Sequence, residues 1–252
     1  MAHKSSQRYS APAELRISSA ALQRRWPLLS DKLRLLLGIA QRDLQILPEA
    51  STEVITAGFV GRACEVVERD RGHPAPVAPL LQLRRKDLMA WLGYHEMWES
   101  KLSNMFAFHH VSLTVHLGYL GDPIKPQIFR SEWPGFRAWT PGNVGFQSPG
   151  AGHPHWQFDA MKTFRDAEVS LARLRDEPVL TEFNPAVMSR NVITDVQDTV
   201  LERIHFASGA PWWLLPREGT YAVHMNAPSD ADSLLRWTVG CVAYIRDELQ
   251  RC

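Results

Sequence analysis

The sequence predicts an α+β fold in which an antiparallel sheet, within about residues 106–225, is flanked by N-terminal helices and a C-terminal amphipathic helix. Three observations support it. Apolar residues recur at three- and four-residue spacing in the first hundred residues and near the C-terminus, as on one face of a helix. From residue 106 onward apolar and polar residues alternate, as in a half-buried strand. Segments rich in Pro and Gly separate these stretches.

The N-terminal part of the chain is expected to be helical. The pair Ser30–Asp31 suits the N-cap of a first helix, which Pro48 ends. A second helix is predicted over residues 52–69 and a third over 80–104. The Pro-rich segment 70–79 between them is predicted to be a loop and is the clearest internal boundary.

The central part is expected to form strands. The first covers residues 108–120, with Val111, Leu113, Val115 and Leu117 on its apolar face. Its polar face carries His110, Ser112, Thr114 and His116. A turn at 121–126 leads into a second alternating run at 127–133, so the two are predicted to form a hairpin. A third strand is predicted over 153–159.

The C-terminal part is expected to return to helix. Residues 161–201 are predicted as two helical pieces. Ser229–Asp232 provides N-cap residues for a final helix whose apolar face is expected to pack on the apolar face of the sheet. That helix face consists of Leu234, Leu235, Thr238, Cys241, Val242, Ile245 and Leu249. The preferred organisation is one co-folded domain, 1–252; the alternative is a separate helical subdomain at 1–75.

The composition is that of an ordinary globular protein. The 252 residues carry a formal net charge of +1, and no apolar stretch approaches the ~18 residues of a membrane span. The N-terminus lacks the apolar core of a signal peptide, and the three cysteines form no CxxC pair. We therefore expect a soluble, cytoplasmic protein without a membrane partner. Motifs of nucleotide-binding folds, zinc proteases and α/β-hydrolases do not occur in the sequence.

Polar side chains accumulate around the predicted sheet, and their spacing allows them to share one face. The candidate catalytic residues are His110, His116, Arg130, Glu132 and His155. Imidazoles near a carboxylate and a guanidinium are suited to acid–base chemistry on an anionic substrate. This pattern predicts a hydrolase or phosphoesterase on the polar face of the sheet.

A divalent metal ion is the cofactor that the same region predicts. His153, His155 and Asp159 form a two-histidine, one-carboxylate set along one strand. Their spacing resembles the first metal motif of cupins over about seven residues, although cupins have Glu where this chain has Asp159. The residues from Pro216 to His224 depart from the second cupin motif, so we do not assign the family.

A metal-free alternative rests on the segment from His110 to Leu113. It resembles the His-x-Ser/Thr-hydrophobic element that occurs twice in two-histidine phosphoesterases. The resemblance implies one imidazole acting as base, another as acid, and hydroxyls that bind phosphate. The sequence holds no second copy, because residues 205–208 and 224–227 both depart from the pattern. A nuclease-like cluster of Asp122, Lys125 and Glu132 is a further alternative.

Binding functions also remain open. The protein would then be a non-catalytic interaction or accessory subunit of a bacterial multi-protein system, with the aromatic loop 133–146 contacting a protein partner. A nucleotide or nucleic-acid partner is another alternative. Arg130 and Arg137 lie beside Trp133, Phe136 and Trp139, a composition that suits a phosphate and a stacked base. The near-neutral net charge does not favour nucleic acid.

Overall fold

The computed structural model describes residues 14–67, 75–84, 87–102, 104–122, 125–133, 135, 155–157, 194, 196, 228 and 230–251. In this part of the chain nine strands form one sheet, accompanied by two long helices. The strands are β1 (Arg16–Ser18), β2 (Gln45–Ala50), β3 (Val54–Val60), β4 (Glu65–Val67), β5 (Ala75–Gln82), β6 (Met89–Lys101), β7 (Met105–Gly118), β8 (Gln127–Trp133) and β9 (His155–Gln157). The helices are α1 (Ser19–Leu37) and α2 (Ala231–Leu249).

The predicted α+β fold with several N-terminal helices is wrong. The described part is mostly antiparallel sheet, curled into a half-barrel, with one helix near each end of the chain. Segment 52–69 contains β3 and β4, and segment 80–104 contains the end of β5, then β6. Strand β6 is buried without interruption from Ala90 to Tyr94. Such a run, buried on both faces, cannot be distinguished from a buried helix by periodicity.

Helix α1 also begins earlier than predicted. Its N-cap is Ser18, whose hydroxyl accepts a hydrogen bond from the Ala21 backbone N–H. Ser30 lies inside the helix, and its Oγ accepts a hydrogen bond from the Ile46 N–H of β2 at 2.8 Å. The helix ends at Gly38, in the left-handed conformation that glycine adopts without strain. Pro48, predicted to end a helix, lies in β2.

A long hairpin organises the sheet. Strands β6 and β7 pair from Met89 opposite Gly118 to Lys101 opposite Met105. On the side away from β7, the first part of β6 pairs with β5 and the later part pairs with β3. On the side away from β6, the first part of β7 pairs with β1 and the later part pairs with β8. Strands β2, β4 and β9 extend the sheet beyond β3, β5 and β8.

The inner face of the sheet and the apolar faces of both helices form the main core. This face, defined by Val111, Leu113, Val115 and Leu117, is completely buried as predicted. The predicted face of α2 is buried too, and Cys241 Sγ lies 3.7 Å from Ser131 Oγ on the inner face of β8. The prediction that α2 packs on the apolar face is confirmed.

The predicted β7–β8 hairpin is confirmed by its antiparallel register, and β9 confirms residues 155–157 of the third strand. Of the helical pieces predicted over 161–201, the described residues Thr194 and Val196 have helical backbone.

The N-terminal strands β1 to β4 belong to the same sheet as β7 and β8. Whether residues 1–252 form one domain stays a prediction. Neither described helix is long and apolar enough to cross a membrane.

Helix α2 begins with a complete capping box. The Asp230 carboxylate accepts a hydrogen bond from Ser233 N–H at 2.6 Å, and Ser233 Oγ accepts one from Asp230 N–H at 3.0 Å. We expect Asp230→Ala to lower the free energy of unfolding by about 0.5–2 kcal/mol, measured by urea denaturation. The exposed Asp232→Ala is the control and should have a smaller effect. Equal effects would contradict a capping role for Asp230.

Candidate functional site

The outer face of the sheet, opposite the main core, carries polar side chains on consecutive strands. His95 of β6 is the cross-strand partner of Ser112 in β7, and Ser112 is the partner of Glu132 in β8. In the next row Thr114 is the partner of Arg130. Because cross-strand partners share a face, these side chains form one polar patch.

Two imidazoles come together within this patch. The ring centroids of His95 and His110 lie 5.9 Å apart, with a 48° angle between the ring planes. His110 Nε2 is 3.9 Å from Glu132 Oε2, and Arg130 Nη1 is 3.3 Å from the same oxygen. The side chains of His110, Arg130 and Glu132 are 26%, 34% and 17% exposed, so they are half-buried but accessible. We call His95, His110, Ser112, Arg130 and Glu132 the outer-face cluster.

A β-bulge sets the orientation of His110. Met97 pairs with His110, whereas Trp98 pairs with Phe108, so His109 is an additional residue in β7. The bulge lets Phe108 face the core, where its ring stacks on Trp133 with centroids 4.7 Å apart, while His110 faces outward. Bulges commonly re-aim a side chain next to a functional site.

A buried ion pair lies on the inner face directly behind the cluster. Glu96, the residue after His95, is bound by Arg25 of α1, with Nε to Oε1 at 2.8 Å and Nη2 to Oε2 at 2.6 Å. Tyr94 Oη and Trp98 Nε1 donate to the same carboxylate at 2.7 and 2.6 Å. The side chains of Arg25 and Glu96 are 3% and 0% exposed.

The ion pair keeps both of its members charged. Burial acts to raise the pKa of Glu96, but the Arg25 charge and the hydrogen bonds outweigh it and hold this pKa below its usual 4.5. Burial acts to lower the pKa of Arg25, and the Glu96 carboxylate raises it on balance. Arg25 Nη1 also donates to Ala231 O at the start of α2, at 3.2 Å. The pair therefore ties α1, β6 and α2 together and has the arrangement of a structural group.

His116, predicted as a site residue, lies in a separate buried group. It is 2% exposed, with Nδ1 3.0 Å from Lys125 O and Nε2 3.0 Å from Thr114 Oγ1. Lys125 pairs with Glu65 at 2.5 Å and lies over the Trp91 ring, 4.7 Å from its centroid. Lys125 lies between β7 and β8, and Glu65 belongs to β4. Their ion pair therefore connects the β7–β8 turn to β4.

The structure therefore brings together His110, Arg130 and Glu132 of the predicted catalytic residues. His155 occupies the register position opposite Glu132. His153 and Asp159 lie outside the described residues, so the predicted metal set stays a prediction. Within the described residues no group of three or more His, Cys, Asp or Glu side chains is placed to hold a metal ion.

Comparison with known proteins found no match. This holds for a scan against protein-family models, for a search of curated proteins and for a search of solved structures.

The aromatic residues predicted to stack on a base are largely outside the described part of the chain. Arg137, Phe136 and Trp139 lie outside the described residues. Trp133 is completely buried in the core and is not available for stacking on a ligand.

Sequence analysis missed His95 because segment 80–104 was assigned to a helix. An alternating signal is present: His95, Met97 and Glu99 point to the outer face, between Tyr94, Glu96 and Trp98 on the inner face. Glu96 hides this signal, because a carboxylate at a core position breaks the expected polar–apolar alternation.

Proposed function

We propose that this protein is a hydrolase of the phosphoesterase type whose site is the outer-face cluster. The observation that carries the proposal is the pair of imidazoles from adjacent strands, 5.9 Å apart, with the Glu132 carboxylate beside one of them. Paired histidines on a half-buried polar face suit acid–base catalysis.

The chemistry assigns a role to each side chain. Hydrolysis of a phosphoester needs a base to take a proton from water and an acid to give one to the leaving oxygen. His95 and His110 would share these two roles, and Glu132 would orient the His110 ring, as carboxylates orient catalytic histidines elsewhere. Arg130 would bind phosphate oxygens through its guanidinium group. Ser112, between His95 and Glu132 in the cross-strand row, would add a hydroxyl.

This design is similar in chemistry to two-histidine phosphoesterases, but the likeness covers only half of their pattern. The segment from His110 to Leu113 supplies one His-x-Ser element. The residue two positions after His95 is Met97 instead of Ser or Thr. We therefore propose the acid–base chemistry without proposing membership of that family.

The test is hydrolysis of p-nitrophenyl phosphate and bis(p-nitrophenyl) phosphate by the purified protein across a range of pH. We expect turnover of at least one substrate, with a bell-shaped pH dependence of kcat/KM that reports an acid and a base. Turnover that survives EDTA supports the metal-free design. Turnover abolished by EDTA and restored by a divalent cation would instead support the metal set His153, His155 and Asp159. No turnover of either substrate would contradict the proposal and favour the non-catalytic alternative.

A further inference from the structure

The outer face has a position without a side chain immediately beside His95. Gly58 of β3 is the cross-strand partner of both His95 in β6 and Leu47 in β2. Along β3 the same position is flanked by Thr56 and Val60, whose side chains share its face. We call the opening above Gly58, bounded by these four residues, the Gly58 notch.

Neither the backbone nor the packing of the described residues requires glycine at this position. The φ angle of Gly58 is not positive, and a Cβ built there would meet Tyr94 O at 3.5 Å, an ordinary van der Waals contact. Gly93 in β6 differs, because its Cβ would lie 2.2 Å from Thr114 Oγ1. Glycine weakens a strand interior, where it often marks a bulge, a tight bend, or the close approach of a ligand or of another backbone. The pairing of Gly58 with Leu47 and His95 shows no register shift, so no bulge accounts for it.

Two of the four walls of the notch are apolar and accessible. Leu47 is 52% exposed and Val60 is 41% exposed. With strands about 4.8 Å apart, Leu47 and His95 lie roughly 10 Å apart across the notch, and Thr56 and Val60 lie roughly 13 Å apart along it. An opening of this size, one side chain deep, accepts a single planar ring lying flat on the glycine backbone.

We infer that the Gly58 notch binds a planar, apolar ring of the substrate, so that the substrate class is a phosphoester carrying an aromatic or heteroaromatic group. This inference rests on the proposed function. One strand spacing, about 4.8 Å, separates Gly58 from His95. A ring joined through its ester oxygen to a phosphate at the imidazole pair therefore reaches the notch. Arg130 binds the anionic end, and Leu47 and Val60 contact the ring.

The inference is tested by calorimetric titration of phenyl phosphate and methyl phosphate into the wild type, Gly58→Ala and Gly58→Val. The wild type is expected to bind phenyl phosphate about tenfold more tightly than methyl phosphate. Burial of roughly 55 Å² of apolar ring surface accounts for a difference of this size. Gly58→Val fills the notch and should abolish this preference while leaving the Kd for methyl phosphate within about twofold; Gly58→Ala should lie between. Because alanine and β-branched valine both cost less than glycine in a strand interior, thermal unfolding is expected to show both variants folded.

The outcomes separate the two proposals. If the wild type binds both phosphates equally, or if Gly58→Val leaves the preference unchanged or weakens both ligands alike, the notch inference is wrong and the anion site of the proposed function stands. If neither phosphate binds the wild type, the anion site itself is contradicted, and the inference fails with it.

Discussion

Arg25→Ala is expected to lower the free energy of unfolding by about 3–5 kcal/mol, the usual cost of removing one member of a buried ion pair. The reason is that the Glu96 carboxylate, 0% exposed, would remain in the core without its counter-charge. Tyr94 and Trp98 would still donate hydrogen bonds, but they cannot neutralise the charge. Urea denaturation at neutral pH, followed by tryptophan fluorescence, measures the change.

Two variants control this prediction. The double variant Arg25→Met/Glu96→Gln removes both charges and should be less destabilised than Arg25→Ala alone. Arg16→Ala breaks an exposed pair with Glu14, where side chains are 57% and 26% exposed, and should cost at most about 1 kcal/mol. If Arg25→Ala costs no more than Arg16→Ala, the buried pair does not stabilise the fold.

The same ion pair predicts a pH dependence of stability. The folded-state pKa of Glu96 lies below its usual 4.5, so in this range the unfolded chain binds a proton more readily than the folded chain. The contribution of Glu96 is therefore fully present above about pH 4.5 and is lost as the pH falls through the folded-state pKa. Urea denaturation measures the free energy of unfolding of the wild type and of Glu96→Gln. The difference between them should shift against the wild type as the pH falls below about 4.5. A constant difference down to about pH 3 would contradict this assignment.

His95→Ala and His110→Ala are each expected to reduce kcat/KM for a phosphoester by about 10²–10⁴-fold, the usual contribution of a general acid or base. Neither imidazole is fully buried, so these variants should stay folded, with stability changed by about 1 kcal/mol or less. The double variant should be little worse than either single one, because paired catalytic groups act as a unit. Steady-state kinetics and urea denaturation test the two expectations separately.

His116→Gln is the matched control for the histidine variants. His116 is buried and hydrogen-bonded to the Lys125 carbonyl and the Thr114 hydroxyl, and it is not a member of the outer-face cluster. We expect this variant to lower the free energy of unfolding by about 1–3 kcal/mol while turnover by the folded fraction stays close to wild type. If His116→Gln reduces turnover as much as His110→Ala does, the outer-face cluster is not the site.

Several features of the fold were predictable from local patterns. The two-residue alternation predicted the β7–β8 hairpin and the shared face of His110, Arg130 and Glu132. The N-cap chemistry around Asp230 predicted the start of α2, and the three- and four-residue spacing of apolar residues predicted its buried face. These predictions succeeded because each depends on residues close together in the chain, where period and capping directly reflect backbone geometry.

Other features exist only through contacts between distant parts of the chain. Glu96 is tolerated in the core because Arg25, 71 residues earlier, neutralises it there. His95 reaches His110 because the β6–β7 hairpin and its bulge place them on one face. Strand β6 was mistaken for a helix because burial on both faces from Ala90 to Tyr94 removes the alternation that identifies a strand. The local periodicity of the sequence does not identify which strands pair with each other. The tertiary structure alone therefore decides which polar residues are buried as structural groups and which form the candidate site.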